Sequence, residues 1–209
     1  MKLEYVLPAD IERRSFEIIE SELDREIPPE IKPVVMRVIH TTADFDYLDT
    51  LYFSPNVMET ALQTIRSGAV FVTDTNMAKA GINKSALARH GCSCECFMAD
   101  PDIAAAAKAN GTTRATASVD HAAQIGKPVI YAVGNAPTAL IRLTELIDQG
   151  SFRPELVIGV PVGFVNVVQS KEMLIASGIP CIVARGRKGG SNVAAAICNA
   201  LLYLADKKL

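Results

Sequence analysis

Tryptophan is absent and aromatic residues make up only 6% of the 209 residues, which removes the stacking platforms that single-stranded nucleic-acid binders rely on. Neither sign of charge is in excess: 21 lysines and arginines meet 23 aspartates and glutamates, a formal net charge of -2. The broad positive field of a general nucleic-acid or anionic-membrane binder is therefore missing. No run reaches the ~20 apolar residues of a spanning helix, and the opening MKLEYVLPADIERRSF lacks the apolar core of a secretory signal. Cysteines number five, an odd count, with Cys92, Cys94 and Cys96 crowded together. That is no disulfide framework, and reduced thiols point to the cytoplasm. Paired C-x-x-C spacing is lacking too, so no metal site is expected at these thiols. Their period of two puts them on one face of a strand, where thiols behave as small buried hydrophobes. Neither G-x-G-x-x-G after an early strand nor GxxxxGK[ST] occurs, which argues against NAD and P-loop nucleotides.

Hydrophobic residues reach 49% and charged residues 21%, a balance that folds. The length favours one domain over residues 1–209, with residues 1–33 forming an N-terminal arm and helix, because no repeat and no Gly/Ser- or Pro-rich linker divides the chain. Short, mostly continuous apolar runs at 35–39, 69–73, 94–98, 128–133, 156–160 and 181–184 predict strands of a parallel sheet covered on both faces. Helical periodicity predicts helices at 10–22, 55–67, 84–90, 102–110, 117–125, 138–148, 168–177 and 191–205. Alternation of this kind, joined by right-handed crossovers, gives an α/β fold: a three-layer α/β/α sandwich with a mainly parallel, doubly wound, flavodoxin-like or related sheet, plus an N-terminal helix.

Ligands of such sheets bind beyond the carboxyl ends of the strands. Expected strand ends carry His40-Thr41-Thr42-Ala43-Asp44, Thr73-Asp74-Thr75-Asn76, Gly134-Asn135-Ala136-Pro137-Thr138 and Arg185-Gly186-Arg187-Lys188-Gly189-Gly190-Ser191. An imidazole at position 40 can exchange protons near neutral pH; equally, a histidine there can cap the next segment. His90 and His121 fall in helical segments and read as surface or helix-end residues. The loop from Arg185 to Ser191 has glycines before a helix, which suits a carboxylate or other anion held by backbone amides and by Arg185, Arg187 and Lys188. A solvated basic turn capped at Ser191 is the other reading of the same residues.

The runs IERRSFEII, VMRVIHTTAD, GNAPTALIRL, PELVIGVPVGFVNVVQSKE and ARGRKGGSNVAAAICNAL, in this order over nearly the whole chain, resemble the precorrin-8X methylmutase family, called cobalt-precorrin-8 methylmutase in the anaerobic branch of cobalamin synthesis. The resemblance implies an isomerase that moves a methyl group from carbon 11 to carbon 12 of a corrin precursor, giving hydrogenobyrinate or cobyrinate. It implies no cofactor and no metal ligand in the protein, since any cobalt arrives inside the macrocycle. It makes His40, in Arg37-Val38-Ile39-His40, the proton donor and acceptor, with Ser15 and Arg37 as substrate contacts. It also implies a homodimer with sites near the subunit interface. Where some relatives carry a cysteine soon after the histidine, this chain has Thr41-Thr42, a difference that bears on packing around the ring.

A large, mostly apolar ring with carboxylate arms needs aliphatic walls, scattered cations and helix N-termini. Position and charge add Arg114, Lys79, Asn135, Arg185, Arg187, Gly189, Gly190 and Ser191 to the expected substrate contacts. The competing function is a tetrapyrrole carrier of the same fold, with an unrelated anion-binding α/β enzyme as a third reading. A carrier needs anion donors but no titrating group, so His40 is the residue that separates the first two.

Overall fold

The computed structural model describes residues 3–206. A short 3-10 turn (Pro8–Asp10) leads into α1 (Ile11–Glu22), followed by α2 (Lys32–Thr42), α3 (Tyr47–Thr50) and strand β1 (Leu51–Phe53). The chain continues through α4 (Val57–Arg66), β2 (Val70–Thr73), α5 (Asn76–Gly81), α6 (Lys84–Arg89), β3 (Ser93–Glu95), α7 (Pro101–Ala109) and α8 (Arg114–Ala122). It ends with β4 (Val129–Val133), α9 (Pro137–Asp148), β5 (Leu156–Gly159), α10 (Val167–Ala176), β6 (Cys181–Ala184) and α11 (Ser191–Ala205).

The sheet order is β1-β6-β5-β4-β2-β3. All neighbours are parallel except β1, which pairs antiparallel with β6 in the register Leu51↔Ala184. Counted without β1, the parallel strands lie in the order 2-1-3-4-5, the doubly wound, flavodoxin-like arrangement. β2, β4, β5 and β6 are buried along their whole length, which is why their sequences run apolar without alternation. Adjacent residues still serve opposite faces. Phe71, Ile130, Ile158 and Ile182 meet α2, α4, α5 and α11, whereas Val72, Tyr131, Val157 and Val183 meet α8, α9 and α10. Helix α11 is buried through Ala194, Ala195, Ala196 and Ala200, and these small side chains let α2 and α5 approach closely. A Cβ on Gly81 would sit 2.9 Å from that of Ala195. No helix among the described residues is long and apolar enough to cross a membrane.

Helices α3 and α5 and strand β1 are not among the expected elements, and α2 stands where a strand is expected. The run 35–39, expected as a strand, lies inside α2. Its β-branched residues suit a strand locally, but Val34, Val35, Val38 and Ile39 recur at helical spacing and are at most 3% exposed against α11 and the sheet; packing overrides propensity. Pro33 sits within the first turn, where a missing amide costs nothing. Ala43 ends the helix in the left-handed region at φ 53°, its amide donating to the Ile39 carbonyl at 2.7 Å. The edge strand β1 has only three residues and no alternation to announce it. Cys94 lies on β3 between Cys92 and Cys96, and all three thiols are buried. Burial pushes the Cys94 thiol up to about 11, as fits a small core hydrophobe.

Candidate active site

His40 stands in the last turn of α2, not just after a strand, so Arg37 and His40, three residues apart, share one helix face. Phe16 of α1 lies against both. Its ring centroid is 5.1 Å from that of His40, and the Arg37 guanidinium lies 5.4 Å from it and 4.8 Å from the ring of Tyr203. Sandwiched between two aromatic faces, Arg37 also donates from Nη1 to Glu12 Oε1 at 3.0 Å. Ser15 precedes Phe16 on α1 and donates to the Ile11 carbonyl at 2.9 Å. Arg37 and His40 thus gather around one aromatic wedge, whereas Ser15 is brought near them only by its place beside Phe16 on α1. Beside them opens a cleft of about 450 Å³, walled mainly by Phe16, Met36, Arg37, Tyr203 and Leu204, with Lys32 at its edge. His40 itself is exposed.

The glycine loop after β6 makes a second cluster, joined to the first through the end of α2. Lys188 Nζ donates to Asp44 Oδ2 at 2.5 Å and to Asp46 Oδ2 at 2.6 Å. This holds the Asp44 carboxyl below its ordinary value and engages the charge that the loop would otherwise offer a ligand. Arg185 lies over Tyr52 at 5.1 Å, and Arg187 over Phe164 at 5.4 Å; both are exposed at the rim. Gly189, at φ 156°, passes so close to the preceding loop that a Cβ would come 2.1 Å from the Val160 carbonyl oxygen. Gly190 donates to that oxygen at 2.9 Å. Ser191 Oγ lies 2.8 Å from Thr75 Oγ1.

Beneath the loop is a residue that charge and position had not singled out. Lys171 of α10 is 0% exposed, and its ammonium donates to the carbonyls of Gly186 at 2.8 Å and Lys188 at 2.9 Å. Burial holds its pKa down at about 8. Its sequence signal is the QSKE run, which says nothing of its burial.

The remaining expected contacts are dispersed. Lys79 pairs with Glu95 at 3.0 Å, across α5 and the end of β3. Asn135 is exposed after β4. Arg114 opens α8, which packs on the other face of the sheet from α2. Thr113 ties that end of α8 to the first turn of α9 through Thr138 at 3.1 Å. The arrangement brings together a titratable imidazole, a stacked guanidinium and an apolar cleft, and sets an anion-suited loop next to them. It can bind an apolar anion and move a proton at one edge of it.

A family model described as precorrin-8X methylmutase matches residues 10–204. The cobalt-precorrin-8 methylmutase of Salmonella typhimurium is 48% identical over 94% of this chain and 95% of its own length. The precorrin-8X methylmutase of Pseudomonas aeruginosa is 37% identical over 91% of this chain and 93% of its own. The solved precorrin-8X methylmutase of Thermus thermophilus superposes with a TM-score of 0.86 at 40% identity, covering 94% of this chain and 97% of that one. With sequence and fold alike from α1 to α11, the chain belongs to the precorrin-8X methylmutase family.

Proposed function

We propose that this chain is the isomerase of cobalamin biosynthesis that moves a methyl group from carbon 11 to carbon 12 of a corrin precursor, with His40 lending and recovering a proton. The observation that carries this reading is the grouping of His40 and Arg37 on one face of α2 around Phe16, beside the cleft. Arg37 and Ser15 bind the macrocycle near its reacting edge. Arg185, Arg187, Asn135 and the amides of Gly189 and Ser191 take carboxylate arms, the expected Gly190 amide being already spent on the Val160 carbonyl, with Arg114 and the Glu95-paired Lys79 further round the rim. The shift is intramolecular: one carbon–carbon bond breaks, one forms, and the borrowed proton is returned, so the reaction needs no methyl donor and no redox partner. The whole chain acts as one domain, with residues 1–33 as its arm, in the cytoplasm.

The test is incubation of the purified protein with precorrin-8X and, separately, with cobalt-precorrin-8, while the visible spectrum is followed. Migration changes the conjugated system, so a new spectrum is expected with one or both. Binding without spectral conversion would instead make the protein a carrier.

We also propose a two-fold dimer. Leu3, Tyr5, Leu7 and Ile11 of the arm are 90%, 89%, 57% and 53% exposed, and Phe164 and Val165 of the loop after β5 are 80% and 79% exposed. Apolar area of this kind calls for a partner surface, and two-fold pairs are the commonest solution. Light scattering should return twice the 22.4 kDa chain mass; a monomer at micromolar concentration would remove the proposal.

A further inference from the structure

Sheets of this strand order offer a ligand the crevice between the two strands where the winding reverses, here the carboxyl ends of β2 and β4. In this chain a side chain already occupies it. Asp74, the residue after β2, is 1% exposed. Its Oδ1 accepts from the Gly134 amide at 2.8 Å, and its Oδ2 accepts from the amides of Asn135 and Ala136 at 2.8 and 2.7 Å. Successive backbone N–H groups converging on one anion form the kind of nest that elsewhere holds a phosphate or a carboxylate ligand.

The nest is wired to the rim. Its own turn is wedged against the start of α11, since a Cβ on Gly134 would come 2.8 Å from Ser191 Cα. Thr75, next to Asp74, reaches Ser191 through their hydroxyls. The backbone of Asn135 is therefore gripped while its side chain stays exposed. A residue so placed has its Cα fixed at the rim, so only its side-chain torsions remain to be ordered when a ligand arrives.

We propose that Asp74 is a positioning residue that supplies from its own side chain the anion this switch point would otherwise take from a ligand, and so holds Asn135 at the rim for the macrocycle. The positioning half rests on the reading of Asn135 as a substrate contact. One consequence is exclusion: the phosphate of a nucleotide or flavin finds the nest full, so the ligand must bind further along the rim, toward α2 and the loop after β6.

The test replaces Asp74 by glycine and uses formate as the probe. Asp74→Gly leaves three amides facing a gap of carboxylate size, so added formate should raise the melting temperature of the variant and leave that of the wild type unchanged. The KM for the corrinoid should rise about tenfold and return toward the wild-type value with formate, while kcat moves little because the proton step stays at His40. Asp74→Asn is nearly isosteric and keeps the fold, but it turns an NH2 group toward amide donors. It should show the raised KM without formate rescue, because its nest remains filled. A carboxylate serving only as a structural support would change the amount of folded protein and give no formate-dependent KM.

Failure of formate to act on both the melting temperature and the KM of Asp74→Gly would overturn the proposal, as would a wild-type KM in Asp74→Asn. Asn135→Ala separates the underlying reading. If its KM equals that of the wild type while formate still stabilises Asp74→Gly, the Asn135 contact is wrong and the positioning role falls with it, leaving the internal anion in place.

Discussion

Replacing His40 by asparagine is expected to lower turnover by about a hundred- to ten-thousand-fold while corrinoid binding persists. A methyl group leaving one ring carbon for its neighbour rearranges an extended conjugated system, and a proton placed on that system localises charge and lowers the barrier. An imidazole can deliver the proton and take it back; a guanidinium such as that of Arg37 can only donate hydrogen bonds. Phe16 packs against both side chains, so the proposed acid and the proposed anchor are held on the same aromatic surface. Asparagine preserves a hydrogen bond at position 40 without a titrating group, and His40→Ala removes both, so the two variants should be similarly slow. Single-turnover spectra give the rate and a product titration gives the binding. An asparagine variant turning over at near the wild-type rate would reduce His40 to positioning and leave migration to be enforced by the shape of the pocket.

Lys171→Met should erase a pH-dependent part of the stability. In the folded chain the ammonium is held down to about 8 by burial, against an ordinary 10.5. Between those values the unfolded chain binds a proton that the folded chain has released, so the contribution of this group to stability rises with pH across the window. The full rise is on the order of 3 kcal/mol. Methionine has nothing to titrate. The unfolding free energy of the wild type minus that of the variant, measured in urea at a series of pH values, should therefore climb through this range. A flat difference would mean that the lysine is not held below its ordinary value. The same substitution leaves the part-buried carbonyls of Gly186 and Lys188 without their donor and loosens the loop between them.

The parallel strands β2, β4, β5 and β6 could be read from the chain because a strand buried on both faces carries continuous apolar residues such as Val129, Ile130 and Tyr131; β3, where only Cys94 is buried, spans Ser93–Glu95 and not the expected 94–98. Helices with a clear apolar stripe, including α9 and α11, were equally plain. Helix α2 was not, because its β-branched residues favour a strand locally and only contact with α11 decides otherwise. A usable signal was present in the spacing of Arg37 and His40. Residues three apart point to opposite faces of a strand but share a face of a helix, so a joint role for the two already implied a helix. Asp74 and Lys171 left no such trace. Their partners are backbone groups, in the case of Asp74 and Gly134 60 residues away, and the identity of a side chain does not determine which amide or carbonyl approaches a buried charge. Arg114 was legible as a basic residue at the rim; that it lies across the sheet from His40 became visible only once the layers were built.

The contact of Gly189 with Val160 separates two parts of the rim that sequence change can treat differently. Because backbone rests on backbone there, the path of the loop does not depend on which side chains decorate it. Arg185 and Arg187 leave that path as exposed side chains resting on Tyr52 and Phe164 and can be exchanged without moving it. The charge that the rim presents can therefore be changed by single substitutions at these outer positions, whereas any residue larger than glycine at 189 would push the loop off the Val160 carbonyl.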